Sequence, residues 1–171
     1  SLVFPLGYAL GRVVSILAVA AVCVAIVRIV RFEGKGWAHA LGGAGLFASG
    51  YVFTFRWLDI ARADSLFLAL LVWGLALFRE SRDAPKKAIL AGVLVALAFW
   101  TKQTAFVFVV ASGVGGLLLA PRRVVLYAIV IALICGGGVL VGNAVTEGLL
   151  WTYIYELHQA HAFNEERLTK K

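Results

Sequence analysis

The sequence predicts an all-α polytopic membrane protein with about six transmembrane helices, and its composition and patterning carry that prediction. Of the 171 residues, 62% are hydrophobic and 15% are charged, and the mean hydropathy is +0.93. Because soluble domains are about 45–50% apolar and about 25% charged, a water-soluble globule is excluded. The formal net charge is +7, but the basic residues lie in short clusters between long apolar runs. That distribution is typical of membrane proteins and does not indicate a nucleic-acid partner.

Six apolar runs are longer than core strands, and each is expected to form a helix that crosses the bilayer. Irregular structure is excluded there, because lipid offers the backbone no hydrogen-bond partners. The expected spans are residues 13–30, 37–55, 63–79, 88–101, 104–120 and 124–142, followed by an outward-facing tail at 143–171. Residues 1–171 are interpreted as one partial transmembrane domain. The first residue, Ser1, and the absence of methionine predict an internal piece of a longer protein.

The basic residues also predict an orientation for the bundle. Alternate connections carry nine of the sixteen Lys and Arg residues on one side and four on the other, with three more in the tail. The richer side is expected to be cytoplasmic. Its nine residues are Arg28, Arg31, Lys35, Arg79, Arg82, Lys86, Lys87, Arg122 and Arg123.

The outward connection before the third span carries the first candidate site. If this segment is helical, Arg56, Asp59 and Arg62 recur every three residues and share a face. Asp64 is expected to cap the start of the third span. The uncharged stretch that follows, residues 65–78, is short for a bilayer. The charges therefore lie at the outer interface, where charged residues are costly and often functional; a plain interfacial loop with ion pairs is the alternative.

A short polar segment within the longest apolar stretch is the second candidate site. One helix over residues 88–120 would be about 50 Å long, too long for a single crossing, so two short spans with a tight outward turn are expected. That turn places Lys102 near the outer hydrocarbon boundary, with Gln103 beside it and Thr104 capping the next helix. A lysine next to a helix N-terminus is suited to bind an anion. The alternative is a lysine that only extends its ammonium to the interface.

The aromatic tail supplies a third, weaker candidate. Glu156, His158 and His161 are expected to lie at the outer interface, as a substrate-facing loop or an interfacial helix. His158 and His161 have the i,i+3 spacing of a ligand pair and Glu156 is nearby, but no additional ligand has suitable spacing, so a metal site is not predicted. No cofactor is evident. A requirement for a divalent metal is left open by the sequence.

Three motifs resemble bacterial integral-membrane glycosyltransferases of the GT-C superfamily, and the most similar group is the dolichyl-phosphate-mannose protein mannosyltransferase-like enzymes. They are Leu10-Gly11-Arg12-Val13-Val14-Ser15, Ala61-Arg62-Ala63-Asp64-Ser65-Leu66 and Ala98-Phe99-Trp100-Thr101-Lys102-Gln103-Thr104-Ala105. The tail, with Tyr153-Ile154-Tyr155-Glu156-Leu157 and His161, is similar to an outer segment of such proteins. Together these segments extend the resemblance over nearly the whole chain.

The resemblance implies a multi-pass enzyme of the bacterial inner membrane that transfers a sugar from a polyprenyl-phosphate donor. The acceptor would be a glycan, lipid or protein on the outer face. The acidic base usual in the family would lie upstream of Ser1, so this piece alone is expected to be inactive.

Cations at the outer boundary suit this chemistry, because they stabilise a departing lipid phosphate. Lys102 and Arg62 are the first candidates to bind the donor phosphate, followed by Arg56, Arg12 and Gln103. Asp59 and Asp64 are expected to orient these cations. The rival functions are a transporter or lipid flippase, in which deeper charges and helix-breaking prolines are expected, and a non-catalytic membrane subunit.

Overall fold

The computed structural model describes residues 3–50, 53 and 62–156, and within these ranges the chain is helical and contains no strand. The predicted all-α class is confirmed. The helices are α1 Val3–Phe32, α2 Trp37–Ser49, α3 Ala63–Arg79, α4 Pro85–Thr101, α5 Ala105–Leu119, α6 Pro121–Ile131, α7 Gly137–Val145 and α8 Leu149–Trp151. There are two π-helical segments in the described chain. Ala132–Gly136 joins α6 to α7, and Thr152–Glu156 follows α8.

Several helix boundaries differ from those expected from the apolar runs. α1 begins ten residues before the expected span 13–30, and α4 begins at Pro85, whose fixed φ suits the first helical turn. α2 ends at Ser49 rather than at residue 55, and Gly50 follows it as the C-cap. The expected span 124–142 lies within one longer helical stretch that includes α6, the first π segment and α7.

Among the described residues, two helical stretches are long and apolar enough to cross a membrane, namely Tyr8–Phe32 and Pro121–Val145, with 25 residues each. The expected total of six transmembrane helices is not confirmed. α2 to α5 have only 13, 17, 17 and 15 residues. At 1.5 Å per residue, even 17 residues span only about 25 Å, against a hydrocarbon core of about 30 Å.

Side-chain contacts fix the directions of the packed helices. α1 runs parallel to α3, because Trp73 Nε1 donates to Ala21 O at 2.9 Å and Arg28 reaches Glu80 further along both helices. α4 runs antiparallel to α3, with Lys87 beside Glu80 at one end and Lys102 beside Asp64 at the other. The helix ends therefore form two separate polar layers with an apolar region between them.

The packing differs from that of a soluble core, because small residues occupy most of the fully buried positions while many large apolar side chains are exposed. The fully buried residues are mostly alanines: Ala25, Ala40, Ala88, Ala91, Ala96, Ala98 and Ala105. Large side chains are exposed along the whole bundle, among them Leu10, Leu17, Leu46, Phe106, Val107, Leu118, Leu133 and Leu140. Close packing through small residues with an apolar exterior is typical of helices packed in a membrane.

Glycine permits close approach where α4 crosses α3 and where it crosses α6. A Cβ atom at Gly74 in α3 would lie 2.6 Å from Val95 Cγ2 and 3.2 Å from the carbonyl oxygen of Ala91 in α4. A Cβ at Gly92 in α4 would lie 2.9 Å from Val130 in α6. Since neighbouring atoms cannot tolerate such distances, these two glycines set the spacing of α3, α4 and α6.

Candidate functional site

Three charged side chains meet where α3 begins and α4 ends, and we call them the Lys102 cluster: Arg62, Asp64 and Lys102. Arg62 is the residue just before α3, Asp64 is the second residue of that helix, and Lys102 directly follows α4. Because α3 and α4 are antiparallel, these positions are neighbours. The Asp64 carboxylate pairs with Lys102 through Oδ1 and with Arg62 Nε through Oδ2, the latter at 3.4 Å.

The Lys102 cluster is open to its surroundings. The side chains of Arg62 and Lys102 are 49% and 42% exposed, whereas that of Asp64 is 23% exposed. The carboxylate thus lies between two cations that both extend outward. The three groups together carry one net positive charge, which suits the binding of an anion.

The turn after α4 is as tight as the sequence predicts. Ala105 N donates to Lys102 O at 3.0 Å, and Phe106 N donates to Gln103 O at 2.9 Å. α5 begins immediately at Ala105. Gln103 is exposed in this turn, next to the cluster.

Neither Asp64 nor Thr104 makes the predicted capping hydrogen bond, although Thr104 does lie at the predicted N-cap position. Asp64 is not the N-cap of α3; that position belongs to Arg62, whose side chain makes no capping hydrogen bond. Thr104 does occupy the N-cap position of α5, but its side chain makes no capping bond either. Its backbone already has helical dihedral angles, with φ −57° and ψ −16°, whereas a capping side chain requires extended backbone at that position.

Within the described ranges, the structure does not bring the remaining candidate residues into the Lys102 cluster. Arg12 lies on an exposed face of α1 with its guanidinium carbon 6.0 Å from the ring centre of Tyr8. Glu156 is the last residue of the second π segment. Four others fall outside the described residues: Arg56, Asp59, His158 and His161. Among the residues that the structure describes, no three His, Cys, Asp or Glu side chains are grouped as metal ligands.

An apolar groove begins beside the turn that carries Lys102. Phe99 precedes this turn and Phe106 follows it, and both line a cavity of about 400 Å³. Its other walls come from α5, α6, the first π segment and α7: Val109, Ile131, Ala132, Cys135, Gly136, Val139 and Leu140. The groove thus offers an apolar surface whose lining begins on either side of the turn that carries Lys102.

Sequence reasoning missed a second charged cluster at the opposite end of the bundle, the Glu80 cluster: Arg28, Glu80 and Lys87. Glu80 Oε1 accepts from Arg28 Nε at 2.6 Å, and Oε2 accepts from Arg28 Nη2 and Lys87 Nζ, both at 2.7 Å. The Glu80 side chain is only 5% exposed. Hydrogen bonds from Arg28, and then from Lys87, lower the pKa of Glu80 to about 2 against the opposing effect of burial.

One signal in the sequence points toward this second cluster. Glu80 is an acidic residue at the end of an apolar run whose neighbouring connection is basic, so it needs a cationic partner if buried. The identity of that partner depends on which helices pack together, and Arg28 lies 52 residues away.

A scan against protein-family models, a search of curated proteins and a search of solved structures found no match to this chain. Function therefore has to be inferred from the position, charge and exposure of the side chains described above.

Proposed function

We propose that this chain belongs to a glycosyltransferase of the bacterial inner membrane that moves a sugar from a polyprenyl-phosphate donor to an acceptor on the extracytoplasmic face. The observation that carries the proposal is the convergence of Arg62 and Lys102 on one point at the end of the bundle. This end is the one with fewer basic residues, and hence the outer end by the distribution of Lys and Arg.

In this proposal α1 to α5 and the α6–α7 stretch all cross the bilayer. The polar layers at the two ends of the bundle and the exposed apolar side chains between them support that arrangement. The shorter helices are accommodated because long basic side chains at their ends extend to the interface and the bilayer thins locally.

The proposed role of Lys102 and Arg62 is to bind the donor phosphate. During transfer, an acceptor oxygen attacks the anomeric carbon, the bond from that carbon to the phosphate oxygen breaks, and its electron pair remains on the lipid phosphate. Two nearby cations stabilise the negative charge that develops there. The resemblance implies that the acceptor's proton passes to an acidic base.

The apolar groove beside Lys102 supports a lipid-linked donor rather than a soluble one. A polyprenyl chain needs an apolar surface, and its phosphate needs a cation at the membrane boundary. Phe99 and Phe106 begin such a surface on either side of the turn that carries Lys102. Asp64 holds the two cations together before the phosphate arrives.

The test is the transfer rate of Lys102→Ala in the full-length protein in proteoliposomes, with the lipid-linked sugar as donor. We expect a loss of about 10²–10³, since a charged hydrogen bond that strengthens in the transition state is worth about 2–4 kcal/mol. Lys102→Arg keeps the charge but changes its shape, so partial activity is expected. Lys86→Ala is the matched control, because Lys86 is an exposed lysine at the other end of the same helix.

A rate of Lys102→Ala within a few-fold of the control would contradict the phosphate-binding role. The transporter alternative makes a different prediction. A flippase would move intact lipid-linked sugar across the vesicle membrane without consuming it, so product formation and donor translocation are measured in the same vesicles. Charges that lie at helix ends rather than at mid-span favour the transferase.

A further inference from the structure

A basic cavity lies at the end of the bundle opposite the Lys102 cluster. It has a volume of about 280 Å³, far above the ~10–15 Å³ that one water needs. It lies between the α3–α4 and α5–α6 connections, and its lining residues are Arg82, Asp83, Ala120, Pro121, Arg122 and Arg123.

A hydrogen bond between the two connections gives this cavity a defined shape. Arg123 Nε donates to the backbone carbonyl oxygen of Arg82 at 3.2 Å, across 41 residues of chain. The two loops are thereby held on either side of the cavity, and the arginines are brought together by tertiary structure.

The charge of the cavity is unbalanced. Three arginines line it with a single carboxylate, that of Asp83. Among the residues that the structure describes, the exposed side chains of Arg82 and Arg122 form no ion pair. Arg122 and Arg123 also lie in the first turn of α6, which has no acidic residue. Since the N-terminus of a helix disfavours cations, an anion bound here would relieve this repulsion.

An apolar crevice adjoins the basic cavity. Ala120 lines both, and the crevice, of about 270 Å³, extends between α1, α3 and α5. Its walls include Ile29, Leu75, Phe78, Gly115 and Gly116. A cationic cavity beside an apolar crevice matches a molecule with a charged head and an apolar tail.

We propose that the basic cavity binds a phosphate group, and that the adjoining crevice assigns this phosphate to an anionic phospholipid of the inner leaflet. Basic pockets between helices on the cytoplasmic side commonly bind such headgroups. The proposal requires the chain to lie in a membrane, but it does not depend on the transferase reaction, because the cavity and the Lys102 cluster are at opposite ends.

The test measures binding of phosphatidylglycerol and phosphatidylcholine to the full-length protein in neutral detergent, by native mass spectrometry. We expect a preference for phosphatidylglycerol that weakens with salt. The double variant Arg82→Ala/Arg122→Ala should lose at least about tenfold in affinity for phosphatidylglycerol, because two charged hydrogen bonds are removed. Lys35→Ala/Lys86→Ala is the matched control; it removes the same charge from the same end but outside the cavity, and should change affinity less than twofold.

Inorganic phosphate separates the two sources of the anion. If millimolar phosphate displaces phosphatidylglycerol completely and binds as tightly, the assignment to a lipid is overturned. Equal binding of the two lipids by the wild type would overturn the proposal without recourse to any variant. Equal losses in the cavity variant and in the control would do so as well, because the effect would then reflect net charge alone.

Discussion

The two ends of the bundle carry the same arrangement of charges in different surroundings. In each, a carboxylate near one end of α3 lies between an arginine and a lysine, and the lysine belongs to α4 or directly follows it. Glu80 is 5% exposed and accepts three hydrogen bonds of 2.6–2.7 Å. Asp64 is 23% exposed, and its contact with Arg62 is 3.4 Å long.

This difference separates a structural cluster from a candidate binding site. A buried carboxylate satisfied by two cations holds helices together, and removing it leaves charges without a partner. A partly exposed carboxylate contributes little to stability, but it can hold cations ready for a ligand. The Glu80 cluster should therefore govern stability, and the Lys102 cluster should govern activity.

The largest expected effect on stability is that of Glu80→Ala. Breaking a buried ion pair lowers the free energy of unfolding by about 3–5 kcal/mol. Because the Arg28 and Lys87 side chains are 41% and 40% exposed, we expect a smaller loss of about 2–3 kcal/mol. Thermal unfolding of the purified protein in detergent measures it. The control is Glu33→Ala, since Glu33 pairs with Arg79 at the same end but is 43% exposed; equal losses in the two variants would contradict the structural role of Glu80.

Acidification should produce the next largest effect, through the same carboxylate. Folding lowers the pKa of Glu80 from 4.5 to about 2. The contribution of this carboxylate to the free energy of unfolding is therefore fully present above pH 4.5 and is lost as the pH falls toward 2. About 2 kcal/mol should be lost by pH 3. Comparing wild type with Glu80→Gln, which cannot titrate, isolates this contribution. The difference in stability between the two proteins should shrink from pH 7 to pH 3; a constant difference would show that Glu80 is not held as a carboxylate.

Apolar patterning predicts some parts of this fold well. The run 63–79 has the bounds of α3, and the length of the stretch 88–120 predicts the tight turn that carries Lys102. Both follow from local rules, since an apolar run ends where charges begin and a bilayer limits helix length. The same rules overestimate α2, which ends at Ser49 although the apolar sequence continues.

Contacts between distant residues are what the sequence could not predict. Arg62 and Lys102 were both expected at the outer end, but their shared contact with Asp64 depends on α3 packing antiparallel to α4. Likewise Glu80 and Arg28 are paired only because α1 is parallel to α3. A basic-residue count groups side chains by end of the bundle, but does not identify neighbours within that end. The roles of the Lys102 cluster stay predictions.

The smallest effect on stability is expected for Asp64→Asn, and it sharpens the contrast between the two ends. Asparagine keeps one acceptor oxygen in place of two, so it can accept a hydrogen bond from Lys102 or from Arg62 but not from both in the present geometry, and it loses the negative charge that holds them. The loss in stability should stay below about 1 kcal/mol, because exposed ion pairs contribute little. A substantial part of the transfer activity should remain, since both cations are still present. Thermal unfolding and the transfer rate in proteoliposomes are measured on the same preparation. If the asparagine variant folds normally but is inactive, Asp64 takes part in the reaction itself, and the cluster does more than bind a phosphate.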